Sequence, residues 1–255
     1  MSDEGAGVIN EVLRLLDARC STRAYDPTPL TADEKQAILH AAMRAPTAGN
    51  LMLYSILEIE DQALKDRLAV TCDDQPFIAR APWVLLFVAD LQKWMDLFSA
   101  CDCDSLPGAP AGATPGLGDL MMACSDALIA AQNAVVAAES LGIGSCYIGD
   151  IMELGEEHAE LLHLPRWTFP AALLCFGRPK VGPHRSERYE RHVVHRDAYR
   201  RLTPAELAEA SSDLDALHGV RKGVLALRGR RHDSIRSIGR PAFKLGQCVL
   251  VMGNY

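Results

Sequence analysis

The segment that most constrains the fold is residues 119–141, which is rich in Ala, Leu, Ile, Val and Met and carries few polar residues. Its length and composition predict a helix that is buried on most sides and ends at Gly142. Such a helix needs a sheet or other helices around it, and 255 residues are enough to supply them. The segment therefore predicts a globular chain with a substantial core.

Shorter apolar segments predict strands around that helix. Residues 83–89 and 171–176 are apolar runs bounded by turn signals and predict buried strands. Residues 52–60 end in strand-like alternation, and residues 248–252 are a candidate last strand.

Three further segments predict helices. Apolar residues recur at helical spacing over residues 8–16. Thr31 and Glu34 form a capping box that begins a second helix, which must end before Pro46. Residues 203–206 begin another helix, with proline at its first position. Strands that alternate with helices leave an α/β and an α+β fold open.

Charge and composition exclude several classes of protein. The chain is 49% hydrophobic and 23% charged, which is ordinary globular composition. Its longest uninterrupted apolar run, residues 83–89, is too short to span a membrane, and the acidic start has no secretory signal. Residues 1–177 carry 10 Lys/Arg against 25 Asp/Glu, whereas residues 178–255 carry 16 against 8. We therefore expect no nucleic acid or membrane partner, but a compact anion near the C-terminal third.

Cysteine spacing and the common catalytic motifs exclude other chemistry. The eight cysteines include no Cys-x-x-Cys pair, so we expect no metal site and free thiols in the cytoplasm. The sequence has no P-loop, no G-x-S-x-G and no H-E-x-x-H, and its two G-x-G segments lack the third glycine of a dinucleotide fingerprint.

Three short segments remain that suit one kind of ligand. Arg19, Ser21 and Arg23 alternate, so in an extended chain they project to one side and offer two cations and a hydroxyl to a phosphate. Residues 45–50 place small side chains and an amide in a polar turn after a helix. Residues 139–151 bring glycines, and hence exposed backbone N–H groups, after the apolar helix. Each segment alone is ordinary loop chemistry.

Together the segments resemble a known family. The patterns R-x-S-x-R-x-[FY], A-P-T-x-x-N and A-A-E-S-L-G-x-G-x-x-Y-I-G occur in this order, and over residues 8–200 the chain resembles the FMN-dependent nitroreductases. It is most similar to their NADPH-dependent nitroreductase and flavin reductase branch. The resemblance implies an α+β fold, with a mostly antiparallel sheet flanked by helices in an intertwined homodimer. It also implies an FMN-binding domain at residues 1–201, with residues 202–255 as a basic extension packed on it.

The same resemblance implies a set of flavin-binding residues. These are Arg19, Cys20, Ser21, Arg23, Thr47, Ala48, Asn50, Gln75, Tyr147, Ile148, Gly149, Asp150, Arg185 and Arg188. Arg23 would lie near flavin N1 and O2, the Gly149 amide would face N5, and Arg188 would bind the phosphate with help from Arg185. The turn at residues 47–50 would come from the partner subunit. No catalytic side chain is implied.

The implied reaction is hydride transfer from NADPH, or NADH, through flavin N5 to a small-molecule acceptor such as a nitroaromatic or a quinone, in a ping-pong cycle. An NADPH–FMN flavin reductase and a non-enzymatic flavin-binding protein are the alternatives. The chain departs from the family pattern N-x-Q-P-W, because residues 50–54 read NLMLY.

Two segments stay open at the level of sequence. Residues 99–118 are either a surface excursion or an active-site lid. The tail arginines, including Arg230 and Arg231, either bind the 2′-phosphate of NADPH or form a solvated basic face.

Overall fold

The computed structural model describes residues 10–103, 114–182 and 190–218. These fall into two compact units, the first made of the first two ranges and the second of residues 190–218. The domain boundary between residues 201 and 202 is not tested by this division and stays a prediction. The candidate last strand at residues 248–252 lies outside the described residues.

The centre of the first unit is a four-stranded antiparallel sheet in the order β1-β2-β4-β3. Its strands are β1 (Tyr54–Glu58), β2 (Trp83–Asp90), β3 (Gly144–Ile148) and β4 (Thr168–Gly177). The predicted strands at residues 83–89 and 171–176 are confirmed as β2 and β4, which pair at the middle of the sheet and are buried along almost their whole length. The α+β prediction is confirmed.

Helices cover both faces of this sheet. In the first unit they are α1 (Glu11–Ala18), α2 (Ala32–Met43), α3 (Gln62–Thr71), α4 (Phe77–Arg80), α5 (Gln92–Ala100), α6 (Leu117–Ser140) and α7 (Gly155–Leu161). The predicted capping box of α2 is present, because Glu34 N donates to Thr31 Oγ1 at 3.2 Å and Thr31 N donates to Glu34 Oε2 at 2.8 Å.

Helix α6 is the long apolar helix that the sequence predicts, but it is not buried on most sides. One face of small residues is fully buried, and it includes Ala127, Ala130, Ala131, Ala134 and Ala138. Larger apolar side chains on α6 are exposed in the subunit, with Met121 at 60%. Alanine lets the helix approach the sheet closely, so the larger side chains are left on the far face. That part of the prediction is wrong for the single subunit.

Helix α6 is also long and apolar enough to cross a membrane, and it is the one such helix among the described residues. Its buried alanine face is that of a core helix packed on a sheet.

In the described part of the second unit, residues 190–218, there is one helix, α8 (Pro204–His218), which begins at the proline that the sequence indicates. Thr203 N and Thr203 Oγ1 donate to Glu206 Oε2 at 2.7 and 2.9 Å, and Glu206 also binds Arg200. These contacts fix the start of the helix.

Candidate functional site

Residues 19–23, here called the basic segment, run in an extended conformation beside β3. Ser21 bridges Ser145 in the parallel sense, and Thr22 N donates to the Ser145 carbonyl at 2.9 Å. A Cβ added to Gly144 would lie 2.2 Å from Thr22 Oγ1, so only glycine at this position permits the approach. The predicted extended geometry of Arg19, Ser21 and Arg23 therefore depends on Gly144.

The cations of the basic segment have no carboxylate partner in the described part of the chain. No Asp or Glu oxygen there lies within 4.0 Å of the Arg19 or Arg23 guanidinium. Ser21 and Arg23 are exposed, whereas Arg19 and Cys20 are half-buried. Arg23 lies 5.9 Å from the centre of the Phe77 ring, a cation–π distance. The segment thus offers a hydroxyl and two cations that have no carboxylate partner among the described residues.

Arg19 also influences two neighbouring groups. Burial raises the pKa of the Glu139 carboxyl, and the Arg19 cation opposes that rise. Burial also raises the pKa of the Tyr147 phenol to about 12, again opposed by Arg19. Glu139 Oε2 and the fully buried Ser145 Oγ have no hydrogen-bond partner among the described residues.

Residues 147–150 follow Ser145, the residue of β3 that pairs with the basic segment. Tyr147 and Ile148 end the strand, and a 3₁₀ helix follows at Gly149–Met152. Tyr147 is 36% exposed, and a Cβ at Gly149 would meet no atom within 4 Å. The backbone at Gly149 is therefore exposed on the side where a side chain would stand.

Gln75, which the family resemblance places at the flavin, is hydrogen-bonded to this segment. Its Nε2 donates to Asp150 Oδ2 at 2.8 Å and to the Cys72 carbonyl at 2.7 Å. Because Gln75 lies two residues before Phe77, which Arg23 covers, Gln75, Asp150 and Arg23 belong to the same region. One group of predicted residues, from the basic segment, β3 and Gln75, is thus brought together.

Residues 47–53, here called the clamped turn, form a second group. Pro46 follows the end of α2, and Ala48–Asn50 make one 3₁₀ turn. Gly49, Asn50 and Met52 have φ of 56°, 58° and 49°, in the left-handed region that asparagine and glycine tolerate best. Met52 N donates to Thr47 Oγ1 at 3.2 Å.

Asp126 on α6 holds this turn, and sequence reasoning missed it. Its Oδ1 accepts from Ala48 N at 2.9 Å and its Oδ2 accepts from Leu53 N at 3.2 Å, with the side chain 3% exposed. A lone carboxylate on the alanine face of an apolar helix was the available signal, because a buried charge requires partners.

The two groups are attached to different parts of α6. Asp126 contacts the clamped turn, whereas Glu139 lies beside Arg19. Thirteen residues separate them, which is about 20 Å along the axis at ~1.5 Å per residue. One subunit therefore does not bring the whole predicted set to one point.

Some predicted residues lie outside the described part of the chain. They are Arg185, Arg188, the tail arginines and residues 104–113 of the 99–118 loop. Among the described residues no group of three or more His, Cys, Asp or Glu side chains is placed to hold a metal ion.

The model of the Nitroreductase family matches residues 16–178 of the chain. The chain belongs to this family. It is 31% identical over 229 residues to the oxygen-insensitive NADPH nitroreductase of Salmonella typhimurium, covering 89% of this chain and 90% of that protein. It is 30% identical over 192 residues to the FMN reductase [NAD(P)H] of Bacillus subtilis, covering 75% of each chain.

Solved structures of this nitroreductase family agree with the fold. The NADPH:FMN oxidoreductase from Vibrio harveyi, complexed with NAD+, superposes with a TM-score of 0.72 at 25% identity, covering 82% of this chain and 87% of that chain. The resemblance stated from the sequence patterns is confirmed at the level of family and fold.

Proposed function

We propose that this nitroreductase-family chain is an FMN-dependent enzyme that passes hydride from NADPH to small organic acceptors, among them nitroaromatics and quinones. The names of its relatives, an NADPH nitroreductase and an FMN reductase, support the activity and both cofactors. The observation that carries the proposal is the basic segment docked on β3, because it presents a hydroxyl and two cations without a carboxylate partner among the described residues, on the strand that leads to the exposed Gly149.

The residues present fit FMN. A phosphate is best bound by guanidinium groups and hydroxyls, which Arg19, Ser21 and Arg23 supply. A flat ring needs a face without side chains, and the open space at Gly149 provides one. When bound, FMN supplies the hydride chemistry.

The side chains of this region bind and orient. Arg19 and Ser21 would hold the phosphate end, and Arg23 would place a fixed positive charge where negative charge develops, a preorganised electrostatic role. Gln75, whose NH₂ group already donates to Asp150 and to the Cys72 carbonyl, would present its amide oxygen to the polar edge of the flavin. Tyr147 and Ile148 would border the ring. Arg185 and Arg188 remain proposed phosphate ligands.

The active form is proposed to be a homodimer in the cytoplasm. Helix α1 has no buried residue in the subunit although it carries Val12, Leu13 and Leu16, and the far face of α6 exposes Met121 and its apolar neighbours. Surfaces of this kind on two helices favour a partner of the same chain. A dimer would also let Thr47, Ala48 and Asn50 of one subunit complete the flavin site of the other. The seven described cysteines are free thiols, as a reducing compartment favours.

A flavin reductase is the second candidate, favoured by the relative named FMN reductase. It would release reduced FMN, so its turnover would depend on free FMN and its flavin would exchange readily. A nitroreductase or quinone reductase would retain FMN through the cycle.

The decisive experiment is to purify the protein, record its visible spectrum with and without added FMN, and add NADPH anaerobically. We expect bound oxidised flavin whose absorbance is bleached by NADPH and returns with nitroaromatics, quinones or free FMN. A protein that takes up no FMN would overturn the proposal. Flavin binding without NADPH oxidation would show a non-enzymatic flavin-binding protein instead.

The role of the basic segment has its own test. Arg19→Ala should weaken FMN binding by roughly tenfold to a hundredfold, because it removes a charge-assisted contact to phosphate. Arg67→Ala, which removes an exposed arginine on α3 with a surface ion pair to Glu157, is the matched control and should leave the dissociation constant unchanged. Fluorescence titration of FMN measures both. Equal affinities in the two variants would remove Arg19 from the site.

A further inference from the structure

Asp126 is a buried carboxylate on the alanine face of α6. Its side chain is 3% exposed, and its neighbours on that face include Ala123, Ala127 and Ala130. A charge in such surroundings is retained only when hydrogen bonds satisfy it. Both of its oxygens are satisfied by the backbone of residues 47–53, through Ala48 N at 2.9 Å and Leu53 N at 3.2 Å.

These two bonds fall at either end of an unfavourable stretch of backbone. Between Ala48 and Leu53 the chain passes through left-handed φ at Gly49, Asn50 and Met52. Glycine and asparagine tolerate this conformation best, whereas methionine adopts it only when the surroundings impose it. The carboxylate ties down both ends, and so it fixes where the side chain of Asn50 is presented.

The second bond depends on a departure of this chain from its family pattern. In N-x-Q-P-W the fourth residue is proline, which has no N–H to donate. This chain has Leu53 there, and the Leu53 N–H supplies the bond to Asp126 Oδ2. A chain with proline at this position could not form the second of the two hydrogen bonds to Asp126, whereas this chain forms both.

A cation lies beneath the same turn. Lys93 Nζ donates to the Tyr54 carbonyl at 2.6 Å, directly after the clamped turn. Burial lowers the pKa of Lys93, while Asp90 and Asp126 oppose that change. The turn and the residue after it are therefore held by hydrogen bonds to Asp126 and Lys93, together with the packing of Leu53 against Ala89, Leu91 and Ala123.

We propose that Asp126 is a positioning residue that fixes the clamped turn for flavin binding, with Leu53 N–H as its second donor. The inference rests on the proposed FMN function, because the turn acts through Thr47, Ala48 and Asn50. Asp126 itself touches no cofactor, and its effect passes through the backbone of residues 48–53.

The test is a cycle of Asp126→Asn, Leu53→Pro and the double variant. Asp126→Asn sets an NH₂ group against one of the two backbone N–H groups. Leu53→Pro removes one N–H and leaves Oδ2 without a donor. In the double variant, proline at position 53 has no N–H to face the NH₂ group of the asparagine at position 126. The repulsion between two donors that destabilises Asp126→Asn is therefore absent. We expect each single variant to weaken FMN binding by roughly tenfold and the double variant to bind better than Asp126→Asn alone.

A control separates positioning from loss of stability. Ala134→Gly lies on the same buried face of α6 and lowers thermal stability without touching the turn. We expect its FMN dissociation constant to equal that of the wild type. FMN affinity that follows melting temperature across all four variants would overturn the inference, and so would additive losses in the cycle.

A second measurement does not require FMN. Hydrogen exchange of the amides of Ala48 and Leu53 in the apoprotein should be slow in the wild type and roughly tenfold or more faster in Asp126→Asn. Unchanged exchange would refute the clamp even if the protein binds FMN. A wild-type protein that binds no FMN but shows the protection would refute the proposed function and leave the clamp in place.

Discussion

The basic segment and the clamped turn are both proposed to contact FMN, yet they are held in opposite ways. The basic segment is fixed by its backbone, which pairs with Ser145 on β3 and leaves the Arg19 and Arg23 side chains without a carboxylate partner among the described residues. The clamped turn is fixed by a buried side chain, Asp126, which accepts from its backbone. When the backbone of a segment pairs with a strand, its side chains remain available for an anion. A buried carboxylate such as Asp126 instead holds the backbone in a left-handed conformation that pairing with a strand does not produce.

The largest predicted effect tests whether the two regions serve different subunits. The experiment combines two variants of the chain in one dimer. The first variant carries Arg19→Ala with Arg23→Ala, and the second carries Asn50→Pro. Proline at position 50 is incompatible with a φ of 58° and with the hydrogen bond from Asn50 N to the Thr47 carbonyl. Each homodimer should be nearly inactive. If the turn completes the partner's site, a mixed dimer contains one intact site and should recover about half of wild-type NADPH oxidation.

Differently tagged chains allow the mixed dimer to be purified. A dimer in which both chains carry Asn50→Pro, made with the same two tags, is the control and should stay inactive. Absence of recovery in the mixed dimer would show that both regions serve the site of their own subunit.

The next effect concerns the docking of the basic segment. Gly144→Ala places a Cβ 2.2 Å from Thr22 Oγ1, so the segment must move, at a cost of about 1–3 kcal/mol in the free energy of unfolding, with weaker FMN binding. Gly118→Ala is the matched control, because a Cβ there meets nothing within 4 Å and α6 should gain up to about 1 kcal/mol. Urea unfolding and FMN titration measure both changes. Equal behaviour of the two variants would contradict the close approach.

The smallest effect concerns Glu139, beside the basic segment. Its pKa is raised in the folded state, so the folded chain holds the proton more tightly than the unfolded chain does. The contribution of Glu139 to stability should therefore fall as pH rises above the ordinary value of 4.5 towards the folded pKa, whichever way the other carboxyls change the total. Glu139→Gln should remove that fall and give a slightly higher melting temperature at neutral pH, with the difference fading below pH 4.5.

Melting curves of the apoprotein between acid and neutral pH test this. The exposed Glu60→Gln serves as the control and should show no such change. A Glu139→Gln variant less stable than the wild type at neutral pH would mean that attraction to Arg19 outweighs the burial of the carboxyl.

Local signals predicted much of this chain because they act over a few residues. The Thr31 and Glu34 capping box, the proline at the start of α8 and the apolar runs of β2 and β4 are all where the sequence indicates. Strand β3 was not predicted, because its five residues, GSCYI, contain glycine and little alternation. Its strand character comes from pairing with β4, which is a non-local contact.

The sequence by itself determined the family, the alternation of Arg19, Ser21 and Arg23, and the position of the polar turn after α2. These are matters of residue order and local geometry. Only the tertiary structure decided that Gly144 admits Thr22, that Asp126 binds a turn 73 residues away at Leu53, and that one face of α6 is left uncovered in the subunit. Each of these depends on which atoms meet when the chain packs, and residue order alone does not specify that.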